Sequence, residues 1–230
     1  MASFAEQVIR FTEALQIPDI PLPDGFSWLY PYDQPGTMEA LSAFYRKYYT
    51  APGKRTFLFG INPGRLGAGL TGVPFTDPIK LEEECGIKNP FPKKPELSAG
   101  FVWRFIHAYG GPERFANDFY ITSLSPLGFI KDGKNINYYD DKDLVRATEP
   151  FIVDCIEKQM AFGAHTKTAL CMGEGKNLKV FRKINEKHRF FDEIIGLPHP
   201  RFVMQYRRKS LDMYLDVYLE ALSDSLPIGK

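Results

Sequence analysis

Cysteine is scarce in this 230-residue chain, and the three present, Cys85, Cys155 and Cys171, lie far apart. That number and spacing exclude a disulfide framework and a four-cysteine zinc or iron–sulfur centre, and point to reduced thiols. No apolar run approaches the roughly 18 residues of a membrane span, and no basic-then-apolar leader opens the chain. A protein working inside the cell is expected, in the cytoplasm of a prokaryote or the nucleus of a eukaryote, with no membrane partner. Net charge is missing too, because 29 Lys and Arg stand against 28 Asp and Glu. Charge as a whole therefore favours no partner class. The phosphate-cradling loop of P-loop proteins is also absent, since no glycine-rich stretch ends in Gly-Lys-Ser/Thr at the required spacing.

What is present is unevenly placed. Residues 165–209 hold eleven Lys and Arg against four acids, a local charge of +7 that leaves −6 on the rest of the chain. A phosphate-backbone partner needs such a basic third, although alternating charges on a solvated helix explain residues 176–189 equally well. At residues 56–61 a short apolar run reads as a buried strand, and it feeds a loop containing Asn62, Pro63, Gly64, Gly67, Gly69 and Gly72. Glycines let a ligand approach the main chain while prolines stiffen the path. Open α/β sheets bind their ligands in such loops at the carboxyl ends of strands.

Elsewhere the order of elements is regular. The motif Ser3-x-x-Glu6 caps a helix over 3–16, a proline- and aromatic-rich strap follows over 17–36, and a second helix spans 38–50. Residues 76–97 read as a long surface loop with at most one short helix. Ser98 is expected to cap a helix that buries Phe101, Val102, Phe105 and Ile106. Strands are expected at 119–124, 168–172 and 193–197. Between them lie a helix over 143–162, with Pro150 at an internal joint, and a helix opened by Gly173-Glu174-Gly175-Lys176. A helix over 211–222 closes the chain. Strands alternating with helices indicate an α/β fold, a three-layer αβα domain around a four-stranded parallel sheet. One domain is expected, with 1–53 as N-terminal helices and strap and 54–222 as the core.

Two stretches carry a family resemblance. Gly60-Ile61-Asn62-Pro63-Gly64 with Thr71-Gly72-Val73-Pro74-Phe75, and Leu197-Pro198-His199-Pro200, closely resemble the two motifs of the single-strand-selective monofunctional uracil-DNA glycosylases, a branch of the uracil-DNA glycosylase superfamily. The resemblance covers about residues 54–220. It implies a cofactor-free, metal-free monomer that excises uracil from DNA, with Asn62 positioning a water and His199 donating to the departing base. Phe75 would stack on the base while Ser123 and main-chain groups at Gly60, Ile61 and Gly64 hold its edge. Arg201 or Phe202 would fill the gap left in the duplex, and Arg207, Arg208 and Lys209 would meet phosphates.

Departures from the family pattern fall at Arg65, at Ser123 and in a shortened loop after His199. A family asparagine at position 123 would accept from uracil N3–H and donate to O4, whereas a rotatable hydroxyl makes one adaptable bond. Xanthine and hypoxanthine are therefore expected as substrates beside uracil. Two other readings stay open: a hydrolase of small nucleosides or nucleotides, and a DNA-lesion-binding module without catalysis.

Overall fold

A computed structural model describes residues 2–227. Its elements in chain order are α1 (Phe4–Ala14), β1 (Phe26–Leu29), α2 (Thr37–Tyr48), β2 (Thr56–Gly60), α3 (Ala68–Thr71), α4 (Pro78–Glu83), α5 (Leu97–Tyr109) and α6 (Pro112–Asp118). The chain continues with β3 (Phe119–Ser123), β4 (Gly128–Lys131), β5 (Lys134–Ile136), α7 (Lys142–Met160), β6 (Thr168–Met172), α8 (Lys176–His188) and β7 (Glu193–Leu197). Helix α9 (Pro200–Tyr206), a 3-10 turn at Arg208–Ser210 and α10 (Leu211–Asp224) complete it.

The main sheet has strand order β3-β2-β6-β7 and is parallel throughout. Period-two alternation distributes its side chains between two layers. Phe57, Phe59, Tyr120, Ala169, Cys171 and Ile194 point to the side covered by α1, α2, α7 and α8. Leu58, Phe119, Ile121, Leu170, Met172 and Leu197 point to the side covered by α5, α6, α9 and α10. Both faces being buried, each strand reads as an almost unbroken apolar run, and each large side chain so covered contributes about 1.5–3 kcal/mol. The αβα expectation holds.

Arg55, fully buried just before β2, ties the N-terminal segment to the sheet. Its guanidinium donates to the carbonyls of Ala51, Gly53 and Ala116 at 2.8, 2.9 and 2.7 Å and lies 4.2 Å over the Phe4 ring. Among the described residues no helix is long and apolar enough to cross a membrane.

Several local expectations need correction. The strap is not only a strap, because β1 inside it pairs with β4, and β4 with β5, as a small antiparallel sheet. Its hairpin turns at Asp132 and Gly133, both at positive φ (49° and 70°), the Asp-Gly signal of a tight turn. Helix α5 starts before Ser98, so Ser98 caps nothing and instead donates to the Glu96 carboxylate at 3.0 Å. The glycine loop contains the one-turn helix α3, and the segment after His199 is α9 rather than a loop. The helix through Pro150 is a single element of 19 residues.

Register levels the strand ends. Gly60 pairs with Ser123, Leu58 with Leu170, and Met172 with Leu197, so all four carboxyl ends form one edge. Strand order reverses between β2 and β6, which leaves a crevice on that edge.

Candidate active site

Loops from this edge enclose a cavity of about 120 Å³. That is small beside the roughly 300–1,000 Å³ of drug-sized sites and suits a single ring system. Its wall includes Ile61, Asn62, Gly64, Phe75, Ser123 and His199, so the cavity gathers residues up to 138 apart in sequence. Gly60 lies directly beneath, since a Cβ there would come within 2.9 Å of the Phe75 ring.

Phe75 is held by its own motif. Thr71 accepts from the Val73 amide at 3.1 Å and donates to the Thr76 carbonyl at 2.6 Å, pinching the loop shut. The bend forces Phe75 to φ 53°, a conformation that costs a non-glycine residue about 1–3 kcal/mol. Its ring is thereby delivered into the cavity, with its centroid 6.0 Å from that of His199.

Asn62 is fixed by the segment after β5. Its amide nitrogen donates to the Ile136 carbonyl at 3.2 Å, and its oxygen accepts from the Tyr138 amide at 3.0 Å. Tyr138 is itself anchored, donating its hydroxyl to Asn177 at 2.8 Å. Both amide ends of Asn62 are thus assigned by partners, and its oxygen keeps a second lone pair.

His199 caps α9. Its Nδ1 accepts from the Arg201 amide at 3.1 Å, and Tyr218 donates to the adjoining Pro198 carbonyl at 2.6 Å. With Nδ1 an acceptor, the ring proton must reside on Nε2. Burial, aided by the nearby Arg201 cation, pushes the pKa from 6.5 down to about 4. Near neutral pH the residue is an uncharged imidazole with one N–H donor of defined direction.

Ser123, at the end of β3, is buried, and its hydroxyl makes no hydrogen bond within the described residues, which leaves it free to meet a ligand. Arg201 lines the mouth. Phe202, Arg207, Arg208 and Lys209 do not reach the cavity; they sit on the outer surface of α9 and the turn beyond it. Phe202 is 39% exposed, with the Arg207 guanidinium 5.1 Å over its ring, while Arg208 donates to the Met204 carbonyl at 2.9 Å.

Sequence reasoning did not assign Asn135, Asn137 or Glu96 to the site, although all of them line the cavity. The Asp132-Gly133 hairpin signal would have placed the asparagines beside β4. Nothing local marks Glu96, whose carboxyl is enclosed because residues 76–97 fold back onto the glycine loop. A Cβ at Gly67 would run into that carboxyl, and Oε2 has no partner among the described residues. Burial pushes its pKa from 4.5 up to about 7. Gly67, Gly69 and Gly72 have the spacing of a dinucleotide fingerprint, but the helix they open is only four residues long, unlike the βαβ helix that the fingerprint requires.

The arrangement offers a stacking ring, a free hydroxyl, an oriented amide and a neutral N–H donor around one small cavity. Among the described residues no group of three or more His, Cys, Asp or Glu is placed to hold a metal ion.

Comparison with known proteins bears directly on this site. Residues 47–223 match the family described as the uracil DNA glycosylase superfamily. The chain is 43% identical to Pedobacter heparinus SMUG2 in its crystal structure, with a TM-score of 0.94 over 97% of this chain and 98% of that one. It is 28% identical over 151 residues to the single-strand selective monofunctional uracil DNA glycosylase of Mus musculus, covering 58% of this chain and 53% of the other. The Rattus norvegicus protein of that description is 27% identical over 155 residues, covering 60% and 54%. The chain thus spans about half the length of the curated relatives it matches. Both motifs, at the carboxyl edge of the sheet that carries them, are accounted for together: the chain belongs to the uracil DNA glycosylase superfamily, as a member of its SMUG type.

Proposed function

We propose that the protein is a monofunctional DNA glycosylase that flips a deaminated base out of DNA and excises it by hydrolysis, in base excision repair. The observation that carries this reading is the His199 imidazole, neutral and tautomerically fixed, on the wall of the small cavity that Asn62, Phe75 and Ser123 share. In this reading residues 1–230 act as one domain, without cofactor and as a monomer. The substrates are uracil and also xanthine or hypoxanthine.

The reaction breaks the bond between C1′ and the base nitrogen. The electron pair leaves with the base, positive charge develops on the sugar, and water then adds to C1′ while its proton ends on the base. Asn62 cannot deprotonate that water, because an amide binds no proton near neutral pH. Its oxygen orients the water through the lone pair that Tyr138 leaves unused. Catalysis therefore depends on stabilising the departing anion, the task of the His199 Nε2–H, in a site that excludes bulk water. Phe75 stacks on the base, and Ser123 with the main chain at Gly60, Ile61 and Gly64 bonds its edge. Arg201, which lines the cavity, would occupy the gap left by the flipped nucleotide. Phe202, Arg207, Arg208 and Lys209 contact the flanking backbone from the outer face of α9.

The decisive experiment offers oligonucleotides carrying uracil, xanthine, hypoxanthine or thymine, single- and double-stranded, and reads alkali-induced strand breaks. Breaks at uracil support the reading. Salt-sensitive binding without release would favour a lesion-binding module, and neither binding nor release a small-molecule hydrolase.

Two substitutions probe the pocket. Phe75→Ala should weaken engagement of the flipped base by about 1–3 kcal/mol, the usual worth of base–aromatic stacking, read as a fall in kcat/KM; unchanged kinetics would place the base elsewhere. Ser123→Asn should raise the preference for uracil over xanthine about tenfold, the value of one well-made hydrogen bond. A ratio that does not move removes Ser123 from base reading.

A further inference from the structure

Away from the cavity, helices α7 and α8 border a groove of about 810 Å³. Its walls carry Lys142, Arg146, Lys176, Lys179, Lys183 and Lys187, against the carboxylates of Asp140 and Glu149. Lys187 is paired with Glu149 and Arg146 with Asp143, whereas Lys142, Lys176, Lys179 and Lys183 form no ion pair among the described residues. All six cations are exposed, over a partly apolar floor formed by Val145 and Val180. Tyr139, half-buried, closes the end nearest the active site.

The groove and the catalytic cavity share a wall. Asn135 and Asn137 line the cavity, Tyr139 and Asp140 line the groove, and Tyr138 between them holds Asn62 with its amide and Asn177 of α8 with its hydroxyl. Because α8 follows β6 and leads into the parallel strand β7, it runs back from the carboxyl edge of the sheet. Lys176 therefore stands at the level of the cavity, and Lys187 lies about 16 Å further down the flank at ~1.5 Å per helical residue.

We propose that this groove is a track for the backbone of single-stranded DNA on one side of the extruded base. This deepens the glycosylase reading and rests on it. A row of unpaired cations above an apolar floor, ending in an aromatic ring, matches the pairing of phosphate neutralisation with base stacking by which proteins hold single strands. The turn from edge to flank selects the strand type. A duplex, stiff over about 150 base pairs, cannot fold over the rim within so short a distance, whereas a single strand turns freely there.

The test uses the double variant Lys179→Ala/Lys183→Ala, which alters two exposed side chains on the solvent face of α8 and no cavity residue. Binding of a labelled uracil-free single strand, long enough to span cavity and groove, is measured against salt, beside the matching duplex. The affinity for the single strand should fall about tenfold at low salt. The slope of log K on log salt should flatten by about 1.4, at roughly 0.7 for each phosphate no longer neutralised. Duplex affinity should stay unchanged. Equal losses on both forms, or none on the single strand, would overturn the track. Excision by the wild-type protein is assayed on uracil-containing strands in parallel: absent excision with groove-dependent binding overturns the glycosylase reading and leaves the track standing.

Discussion

Replacing His199 by alanine should lower the single-turnover rate of uracil release about 100- to 1000-fold. That is the worth, about 2.7–4 kcal/mol, of one preorganised donor aimed at developing negative charge. Folding should survive, because Pro198 remains held by Tyr218 and Pro200 still begins α9; only the cap to the Arg201 amide is lost, at about 1 kcal/mol. A wild-type rate in a folded variant would remove His199 from the chemistry. The pH profile makes a second check. A donor with its pKa pushed down to about 4 shows no imidazole titration near 6.5, so its inflection belongs near pH 4. The profile is best taken with Glu96→Gln, since Glu96 titrates close to 7. An inflection at 6.5 in that background contradicts the neutral-donor mechanism.

Glu96→Gln carries the other large effect, on stability. The Glu96 pKa is raised in the folded state, from 4.5 to about 7, so between those values the folded protein holds a proton that the unfolded chain releases. The Glu96 contribution to stability is therefore fully present below about pH 4.5 and is lost as the pH rises to 7. The cost at pH 8 is about 3 kcal/mol, at about 1.36 kcal/mol per unit. Glutamine does not ionise and removes this dependence. The difference in unfolding free energy between variant and wild type should shift by about 3 kcal/mol in favour of the variant between pH 4 and pH 8. A pH-independent difference would show that the carboxyl is not held protonated. His199 acts in the opposite sense, because its lowered pKa costs stability as the pH falls from 6.5 to 4. The two groups partly cancel across the mildly acidic range, and denaturation of each single variant separates them.

Much of the core is legible in sequence because local rules govern it. The runs 168–172 and 193–197 appear as strands with those bounds, and Ser3 caps α1 as its spacing indicates. The small antiparallel sheet is not legible, because β1 and β4 are four residues each and pair across about a hundred residues of chain. Neither strand has enough alternation to announce itself. The start of α5 is hidden for a related reason. Ser98 has the chemistry of a cap, yet its hydroxyl is taken by Glu96, whose carboxyl only the returning loop encloses.

The order of the four main-sheet strands and the long helices between them, and the two motifs with Asn62, Phe75, Ser123 and His199, are written along the chain. Hydrophobic period, glycine and proline placement and side-chain chemistry are properties of sequence neighbours. Folding was needed to settle which nitrogen of His199 keeps its proton, which partners orient the Asn62 amide, and that the Glu96 carboxyl sits deprived of water with an unpaired oxygen. It also settled that Arg201 reaches the mouth while Phe202 turns outward, and that lysines of two separate helices face one groove. Each of those depends on distances between remote segments and on the solvent they exclude, and both are set only when the sheet edge closes.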